Sequence, residues 1–250
     1  MIKEEFSGEI TEDLMKCFSN IVDQYETNKN YSKTLSQIKE LRSIICSKQI
    51  KNSFSIEVYE YSSLLSIDNY DIENFNISLS KLICDLYPLY PSSQNKLRFF
   101  RLYFLYVALT DTKEISILLQ STDYHQNKDY LVDIKGIITS LIGKDFIGIL
   151  KQFSVLSDYY EKKLIVPFLP RIKILSLITF AQAFYTEMDI NFIYKYLSKW
   201  RDESFDDFIK FLKDNKVIID EKKQKIKCKE SLNNLKENLY LCKIFSSSFK

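Results

Sequence analysis

The residues whose types could support catalysis or metal binding are few and far apart in this chain. The single histidine, His125, lies in a polar stretch between helical segments, with no second histidine and no His-Glu-x-x-His pattern. Gly136, Gly143 and Gly148 lie within helical pattern and lack the Lys-Ser/Thr of a phosphate-binding loop. A cysteine nucleophile would have to recruit the one loop histidine as its base. The sequence therefore predicts a protein that is not an enzyme and that binds no metal or cofactor.

The cysteines predict free thiols in a reducing compartment. Their number is odd, their spacing is wide, and no Cys-x-x-Cys pair suggests zinc or a redox couple. Free thiols pack readily as small hydrophobic groups, so most of them are expected to be buried. The five are Cys17, Cys46, Cys84, Cys228 and Cys242.

A lysine-rich segment near the C-terminal end is the one local feature that suggests a ligand. Its members are Lys222, Lys223, Lys225, Lys227 and Lys229. The flanking hydrophobic residues predict a β-hairpin of residues 217–220 and 225–228 around a charged turn. In an extended strand Lys225, Lys227 and Lys229 share one face, where they could follow a phosphate backbone without reading its sequence.

A second interpretation of these lysines needs no ligand. Lysine is common on solvated edge strands, where its charge discourages pairing with another chain. Lys195, Lys199 and Arg201 could extend a binding patch from the neighbouring helix, although Asp202 and Glu203 partly cancel their charge. The residues alone leave two interpretations open, nucleic-acid contact and a role in simple solubility or edge protection.

Composition indicates a mainly helical globular protein. Of 250 residues, 46% are hydrophobic and 27% are charged, and the net charge of +2 is too small to imply nucleic-acid binding from totals. Four glycines and four prolines leave little material for tight turns or a many-stranded sheet. Neither a signal peptide nor a run of about 20 apolar residues is seen, so we expect a location inside the cell and no membrane contact.

Apolar residues spaced three and four apart predict helices along most of the chain. The predicted helices cover residues 14–25, 35–45, 56–65, 71–86, 96–109, 113–119, 129–141, 144–153 and 172–185. Short connections between them predict antiparallel pairs stacked into an irregular solenoid. Large rings at helical spacing, Tyr59 and Phe104 among them, are predicted to fill its core.

A different arrangement is predicted for the C-terminal part. Asp189 and Ser204 can each cap a short helix, and Asn215 can end the second one. Asp206 and Asp207 then lie in a first helical turn, where acids suit the helix dipole better than they suit acid–base chemistry. Three short helices followed by the hairpin make a winged helix, and a last helix is predicted over residues 230–245.

Residues 37–60 carry a pattern of the form Gln-x-Lys-x-x-Arg-Ser-Ile, followed by Ile-x-Asn-x-Phe and a Val-Tyr-Glu ending. Its positions are Gln37, Lys39, Arg42, Ser43, Ile50, Asn52, Phe54, Ile56, Val58, Tyr59 and Glu60. This pattern resembles the opening of the SAC/GANP group of PCI-domain proteins, named after the proteasome lid, the signalosome and translation initiation factor three. Residues 75–87 and 99–109 are similar to later helices of that group. Residues 226–232 are similar to its wing and tail in the branch linked to messenger-RNA processing.

The resemblance implies a TPR-like helical-repeat solenoid over residues 1–166 and a winged helix with a C-terminal helix over residues 167–250, together a PCI domain. It implies a non-catalytic scaffold that pairs with a second PCI-domain protein, offers a surface for RNA or DNA, and serves messenger-RNA biogenesis, processing or nuclear export. A small acidic protein of the DSS/Sem type is expected to bind through that partner. The alternative in the same family is a non-ATPase regulatory subunit of the 26S proteasome lid. A free-standing winged-helix regulator would leave the long helical part unused.

Overall fold

The computed structural model describes residues 2–120, 128–198 and 203–247, and this part of the chain is mainly α-helical, as the composition predicts. The helices are α1 (Ile2–Asn28), α2 (Tyr31–Ser47), α3 (Ser53–Asp68), α4 (Ile72–Lys81), α5 (Lys96–Thr110), α6 (Thr112–Leu118), α7 (Val132–Ile142), α8 (Phe146–Val155), α9 (Tyr159–Ile165), α10 (Leu169–Phe184), α11 (Ile190–Leu197), α12 (Phe205–Asp214) and α13 (Cys228–Ser247). Three short strands are β1 (Glu187–Asp189), β2 (Ile219–Asp220) and β3 (Lys225–Lys227). A π-helical turn, Leu82–Leu86, extends α4, and 3-10 turns precede α7 (Lys128–Leu131) and α10 (Val166–Phe168).

Side-chain caps fix where many of these helices begin. In each case a side-chain oxygen accepts a hydrogen bond from a backbone N–H of the first turn, which would otherwise have no partner. The capping residues are Asn30, Asn52, Asp71, Asp145, Asp158, Asp189 and Ser204. The predicted caps at Asp189 and Ser204 are thereby confirmed, and α12 ends at Asn215 as predicted.

The chain divides into two compact units, Met1–Tyr103 and Phe104–Lys250, and the division falls within α5. The boundary predicted between residues 166 and 167 separates the two parts of a PCI domain. It differs from this division and stays a prediction.

In the first unit, each helix from α1 to α4 packs against the next, and α1 also contacts α3. Ile38 and Leu41 of α2 and Phe75 and Leu79 of α4 are fully buried between them. Tyr59 of α3 is buried as predicted. The apolar spacing read from the sequence thus corresponds to the faces that these helices present to one another.

A buried arginine joins three helices of the first unit. The Arg42 guanidinium, on α2, donates to Ser62 Oγ of α3 at 3.3 Å and to Asn74 Oδ1 of α4 at 3.3 Å, and it also donates to Ser78 Oγ of α4. Burial lowers the pKa of Arg42, but a guanidinium stays charged in proteins. Directional polar contacts therefore fix the packing of α2, α3 and α4 in addition to the apolar area that these helices bury.

In the second unit, α10 packs against α13, α8 and β1. Its buried face includes Ile172, Leu177 and Ala181, and Phe104 of this unit is buried as predicted. Lys173, also on the buried side of α10, donates to the two carboxylate oxygens of Glu203 at 2.7 and 2.6 Å. This buried ion pair ties α10 to the residue that precedes the cap of α12.

Candidate nucleic-acid interface

The lysine-rich segment lies on a small antiparallel sheet with the strand order β1-β3-β2. Ile226 of β3 lies opposite Met188 of β1 and Ile219 of β2, and both Ile226 and Met188 are buried. Because side chains alternate along a strand, Lys225 and Lys227 lie on the opposite, partly exposed face. The predicted hairpin is therefore present in a shorter form, and two of the predicted lysines share one face.

The prediction that Lys229 continues this face is wrong. β3 ends at Lys227, and Lys229 lies in the first turn of α13. The pairing of β3 with β1 ends where Glu187, the first residue of β1, lies opposite Lys227. The next residue, Cys228, donates its N–H to the carbonyl of Thr186 at 2.9 Å and begins the helix.

β3 is the central strand of the described sheet, because it pairs with β1 on one side and β2 on the other. Lysines on a central strand cannot protect an exposed edge. The edge-protection interpretation is therefore wrong for Lys225 and Lys227.

Acidic side chains neutralise much of the charge on this face. Lys225 Nζ donates to Glu187 Oε2 at 3.0 Å, and Lys223 Nζ lies 3.9 Å from carboxylate oxygens of Glu187 and Asp220. The hydrogen bond from Lys225 lowers the pKa of Glu187, so this carboxylate is ionised at neutral pH. The face of the sheet is a mixture of both charges rather than a uniform basic surface.

Of the other predicted cations that the structure describes, Lys227 forms an ion pair with a described acid and Lys222 does not. Lys227 Nζ lies 3.8 Å from Glu230 Oε2. Lys222 is exposed in the β2-β3 turn and forms no ion pair with any other described residue. Lys199 and Arg201 lie outside the described residues.

The structure contains a cluster of exposed aromatic side chains at the junction of α10 and α11 that was not predicted from the sequence. Phe184, Phe192 and Tyr196 are 45%, 40% and 37% exposed. The ring centroid of Phe192 lies 5.8 Å from that of Phe184 and 4.9 Å from that of Tyr196. Buried Phe180 contacts all three rings, at 6.2 to 6.4 Å. We call Phe184, Phe192 and Tyr196 the aromatic platform.

The sequence does contain a signal for the aromatic platform. Phe180 and Phe184 are four residues apart, as are Phe192 and Tyr196, and residues four apart share a helix face. Asn191 and Lys195 are exposed polar neighbours of the second pair, whereas Ile193 and Leu197 are buried on the other side of the helix. An aromatic pair on an otherwise polar helix face is a candidate surface site rather than core.

Tyr185 lies directly beside the platform in the chain and is 63% exposed. Its φ and ψ are 50° and −47°, and Thr186 N–H donates to the carbonyl of Phe184 at 2.6 Å. Tyr185 is therefore the central residue of a γ-turn with positive φ, a rare and strained conformation. Lys229 Nζ lies 5.7 Å from the centroid of its ring. Lys229, which was expected to continue the strand face, instead lies over the exposed ring of Tyr185.

The structure also shows how exposed the cysteines are and whether the described residues could hold a metal ion. The prediction of mostly buried thiols is wrong, since three of the four described cysteine side chains are exposed, and all four are free; the exposed ones are Cys17, Cys46 and Cys84. Burial raises the pKa of the fourth, Cys228. Among the described residues, no group of three or more His, Cys, Asp and Glu side chains could hold a metal ion. His125 lies outside the described residues.

The chain matches no known protein family and no curated protein. Within the described ranges, one stretch, Tyr159–Phe184, which spans α9 and α10, is long and apolar enough to cross a membrane by length and composition. Of its apolar window, 61% is buried inside the fold, and a buried core helix passes the same test.

Proposed function

We propose that the chain is a non-catalytic PCI scaffold subunit of the SAC/GANP type. It pairs with a second PCI-domain protein through a C-terminal winged helix, and the pair offers a surface for RNA or DNA in messenger-RNA biogenesis, processing or export. A small acidic DSS/Sem-type protein joins through the partner. The complex works in the nucleus, the cytoplasm or both.

The observation that carries this proposal is the order of elements around the small sheet. In the second unit, α10, β1, α11, α12 and the β2-β3 hairpin follow one another, and β3 pairs with both other strands. Three helices and a hairpin wing are what a winged helix requires, and β1 adds a strand between the first two helices. α13 then packs against α10, where the resemblance implies a C-terminal helix.

The first unit supports the helical-repeat part of the proposal. The helices α1 to α4 are joined by connections of two to five residues, and each packs on the next. Stacked helices of this kind form solenoids.

Two charged residues of the family pattern have structural partners in the first unit. Arg42 joins α2 to α3 and α4, and Glu60 accepts hydrogen bonds from Tyr87 Oη at 2.8 Å and from Asn95 Nδ2 at 2.7 Å. Both Arg42 and Glu60 are buried. A pattern made of such residues is expected of a family that is defined by its fold rather than by a catalytic site.

One observation favours the second candidate, a regulatory subunit of the proteasome lid. Lys225 and Lys227 each lie near a glutamate, so the sheet face is poorer in free positive charge than the lysine count suggests. A lid subunit would need no basic surface. The nucleic-acid role therefore depends on cations that lie outside these ion pairs.

Affinity purification of the tagged chain followed by mass spectrometry tests the proposal. We expect a second PCI-domain protein to be recovered without lid subunits. Recovery of lid subunits would favour the second candidate, and recovery of neither would contradict both.

The contribution of the β2-β3 turn is tested on the purified pair with a Lys222→Glu/Lys223→Glu variant. If the turn contacts phosphates, binding to single-stranded RNA should weaken while pairing is retained, because exposed charges contribute little to stability. The matched control is Lys33→Glu/Lys48→Glu, which makes the same charge change at exposed positions of the first unit. Equal weakening by both variants would indicate a general charge effect rather than contact at the turn.

A further inference from the structure

We infer that the aromatic platform, with Tyr185 beside it, is a stacking surface for the bases of single-stranded nucleic acid, and that Lys195 and Lys229 contact the phosphates next to the stacked bases. This assigns the nucleic-acid contact to the α10–α11 junction rather than to the strand face of β3. Lys195 was expected to extend a basic patch around the hairpin, whereas the platform rings were not among the residues expected to bind a ligand.

The geometry of the rings suits stacking by bases. Aromatic side chains in a core have most of their surface covered, whereas Phe184, Phe192 and Tyr196 are each more than a third exposed. Phe180 is 8% exposed and contacts all three from below. The rings therefore keep a fixed arrangement and need little ordering when a ligand binds, which favours affinity.

The charges around the platform complement an anionic ligand. Lys195 is exposed on α11, three residues after Phe192 and next to Tyr196 in the chain. Neither Lys195 nor Lys229 forms an ion pair with another described residue, so both can contact phosphates.

The described acids near the platform and near Lys229 in the chain each have a partner, and Glu230, next to Lys229, pairs with Lys227. Asp189 accepts a hydrogen bond from Phe192 N–H at 2.9 Å as the cap of α11. Glu187 pairs with Lys225, and Glu203 pairs with Lys173. The cations at this site are therefore available to a ligand, while the neighbouring carboxylates have partners of their own.

Tyr185 extends the exposed aromatic surface. Six other described non-glycine residues also have positive φ, so the φ of 50° at Tyr185 does not by itself mark a binding site. The turn directs the chain from α10 into β1 and presents an exposed tyrosine next to the platform and under Lys229. Aromatic rings with cations beside them are the combination by which proteins bind single strands without sequence preference.

The assignment rests on the proposed function for the class of ligand, so it is tested on the 250-residue chain alone, without any partner. Fluorescence anisotropy compares two probes of equal charge, an oligouridine about 12 nucleotides long and an abasic ribose-phosphate oligomer of the same length. Stacking requires bases, whereas phosphate contact does not. We expect the chain to bind the oligouridine at least about tenfold more tightly than the abasic oligomer.

Variants that remove a ring test whether the preference for oligouridine depends on the aromatic platform. Phe192→Leu and Tyr196→Leu keep apolar side chains but remove rings, and each should lower oligouridine affinity by about tenfold while leaving abasic affinity unchanged. Phe192→Tyr keeps the ring and should keep the preference. The matched control is Tyr159→Leu, because Tyr159 is exposed at 54% and also lies near a lysine, with Lys163 Nζ 5.2 Å from its ring centroid. Thermal unfolding of each variant verifies that it is folded.

Equal affinity of the wild-type chain for the two probes would overturn the assignment, as would a preference that survives both ring-removing changes. The platform would instead be a protein interface if the same variants kept the oligouridine preference and lost the partner in affinity purification. A chain that prefers oligouridine but purifies without a PCI-domain partner would support the stacking surface and contradict the proposed function, so the two failures are distinguishable.

Discussion

Lys173 and Lys29 each lie 2.6 Å from a glutamate, but only the first pair is buried. The side chains of Lys173 and Glu203 are 5% and 14% exposed, whereas those of Lys29 and Glu26 are 60% and 65% exposed. Removing one partner of a buried pair leaves an uncompensated charge in the interior. Lys173→Met should therefore lower the free energy of unfolding by about 3 kcal/mol, measured by chemical denaturation.

The exposed pair provides the matched comparison. Glu26→Gln should leave the free energy of unfolding nearly unchanged, since solvent screens the interaction. Replacing both buried partners, as in Lys173→Met/Glu203→Leu, should recover much of the loss. A double variant no more stable than Lys173→Met would contradict the view that the isolated charge causes the loss.

Asp71 makes the stability of the first unit depend on pH. Burial alone would raise the pKa of its carboxyl, but hydrogen bonds from Asn74 and from Tyr31 Oη outweigh burial and lower the pKa below the ordinary value of 3.8. The native state therefore holds the proton less tightly than the unfolded state does. The stabilisation is complete above the ordinary pKa and is lost as the pH falls through the lowered value.

The expected result is a flatter dependence of stability on pH, in the range below about pH 4, when the carboxyl is removed. Asp71→Asn keeps a capping oxygen and should show this flattening in urea denaturation at several acidic pH values. Tyr31→Phe removes one of the hydrogen bonds to Asp71 and should give an intermediate slope. If stability depended on pH in Asp71→Asn as it does in the wild-type chain, other groups would be responsible for the loss of stability at acidic pH.

At the scale of helices and strands, the local sequence was sufficient to predict the helix caps but insufficient to predict the three-stranded sheet. Asp189 and Ser204 were predictable because a capping side chain acts within three residues of its own position. β1 has only three residues and is too short to show an alternating pattern against its surroundings. The ion pair between Lys225 and Glu187 joins residues 38 apart, so the neutralisation of the lysine face could not be read locally.

The misplaced Lys229 illustrates the same limit. Alternation along a strand holds only while the strand has partners, and β3 loses its partner strand β1 after Lys227. The sequence shows the lysine spacing but not the length of the neighbouring strand. The aromatic platform was not predicted for a different reason: Phe184 lies in one helix and Phe192 and Tyr196 lie in the next, so their proximity depends on packing that the sequence does not show.

The cap of α12 allows a direct test at this scale. Ser204 Oγ accepts from Asp207 N–H at 3.1 Å. Ser204→Ala should lower the free energy of unfolding by about 1 kcal/mol, because it leaves that N–H without its partner. Ser204→Asn restores a capping oxygen and should recover most of the loss. Ser154→Ala, at an exposed serine that caps no helix, should have little effect; equal losses at both serines would contradict the role of the cap.

For the whole molecule, the net charge of +2 leaves little long-range attraction for a polyanion. Binding must then depend on a few local contacts and on stacking. Lys195 and Lys229 are the cations at the platform without ion pairs among the described residues, whereas the lysine-rich segment contains five lysines. The number of phosphate contacts determines how strongly salt weakens binding, so the two possibilities differ in a measurable quantity.

Each phosphate contact with a single strand contributes about −0.7 to the slope of log affinity against log salt concentration. Two contacts at the platform predict a slope of about −1.4 for oligouridine, and five contacts along the lysine-rich segment predict about −3.5. Anisotropy titrations from about 50 mM to about 400 mM salt measure this slope. Lys195→Gln should make it shallower by about 0.7, while Lys225→Gln, which removes a lysine already paired with Glu187, should leave it unchanged. A slope near about −3.5 that Lys195→Gln did not alter would assign the contact to the lysine-rich segment, because that segment supplies five cations whereas the platform supplies two.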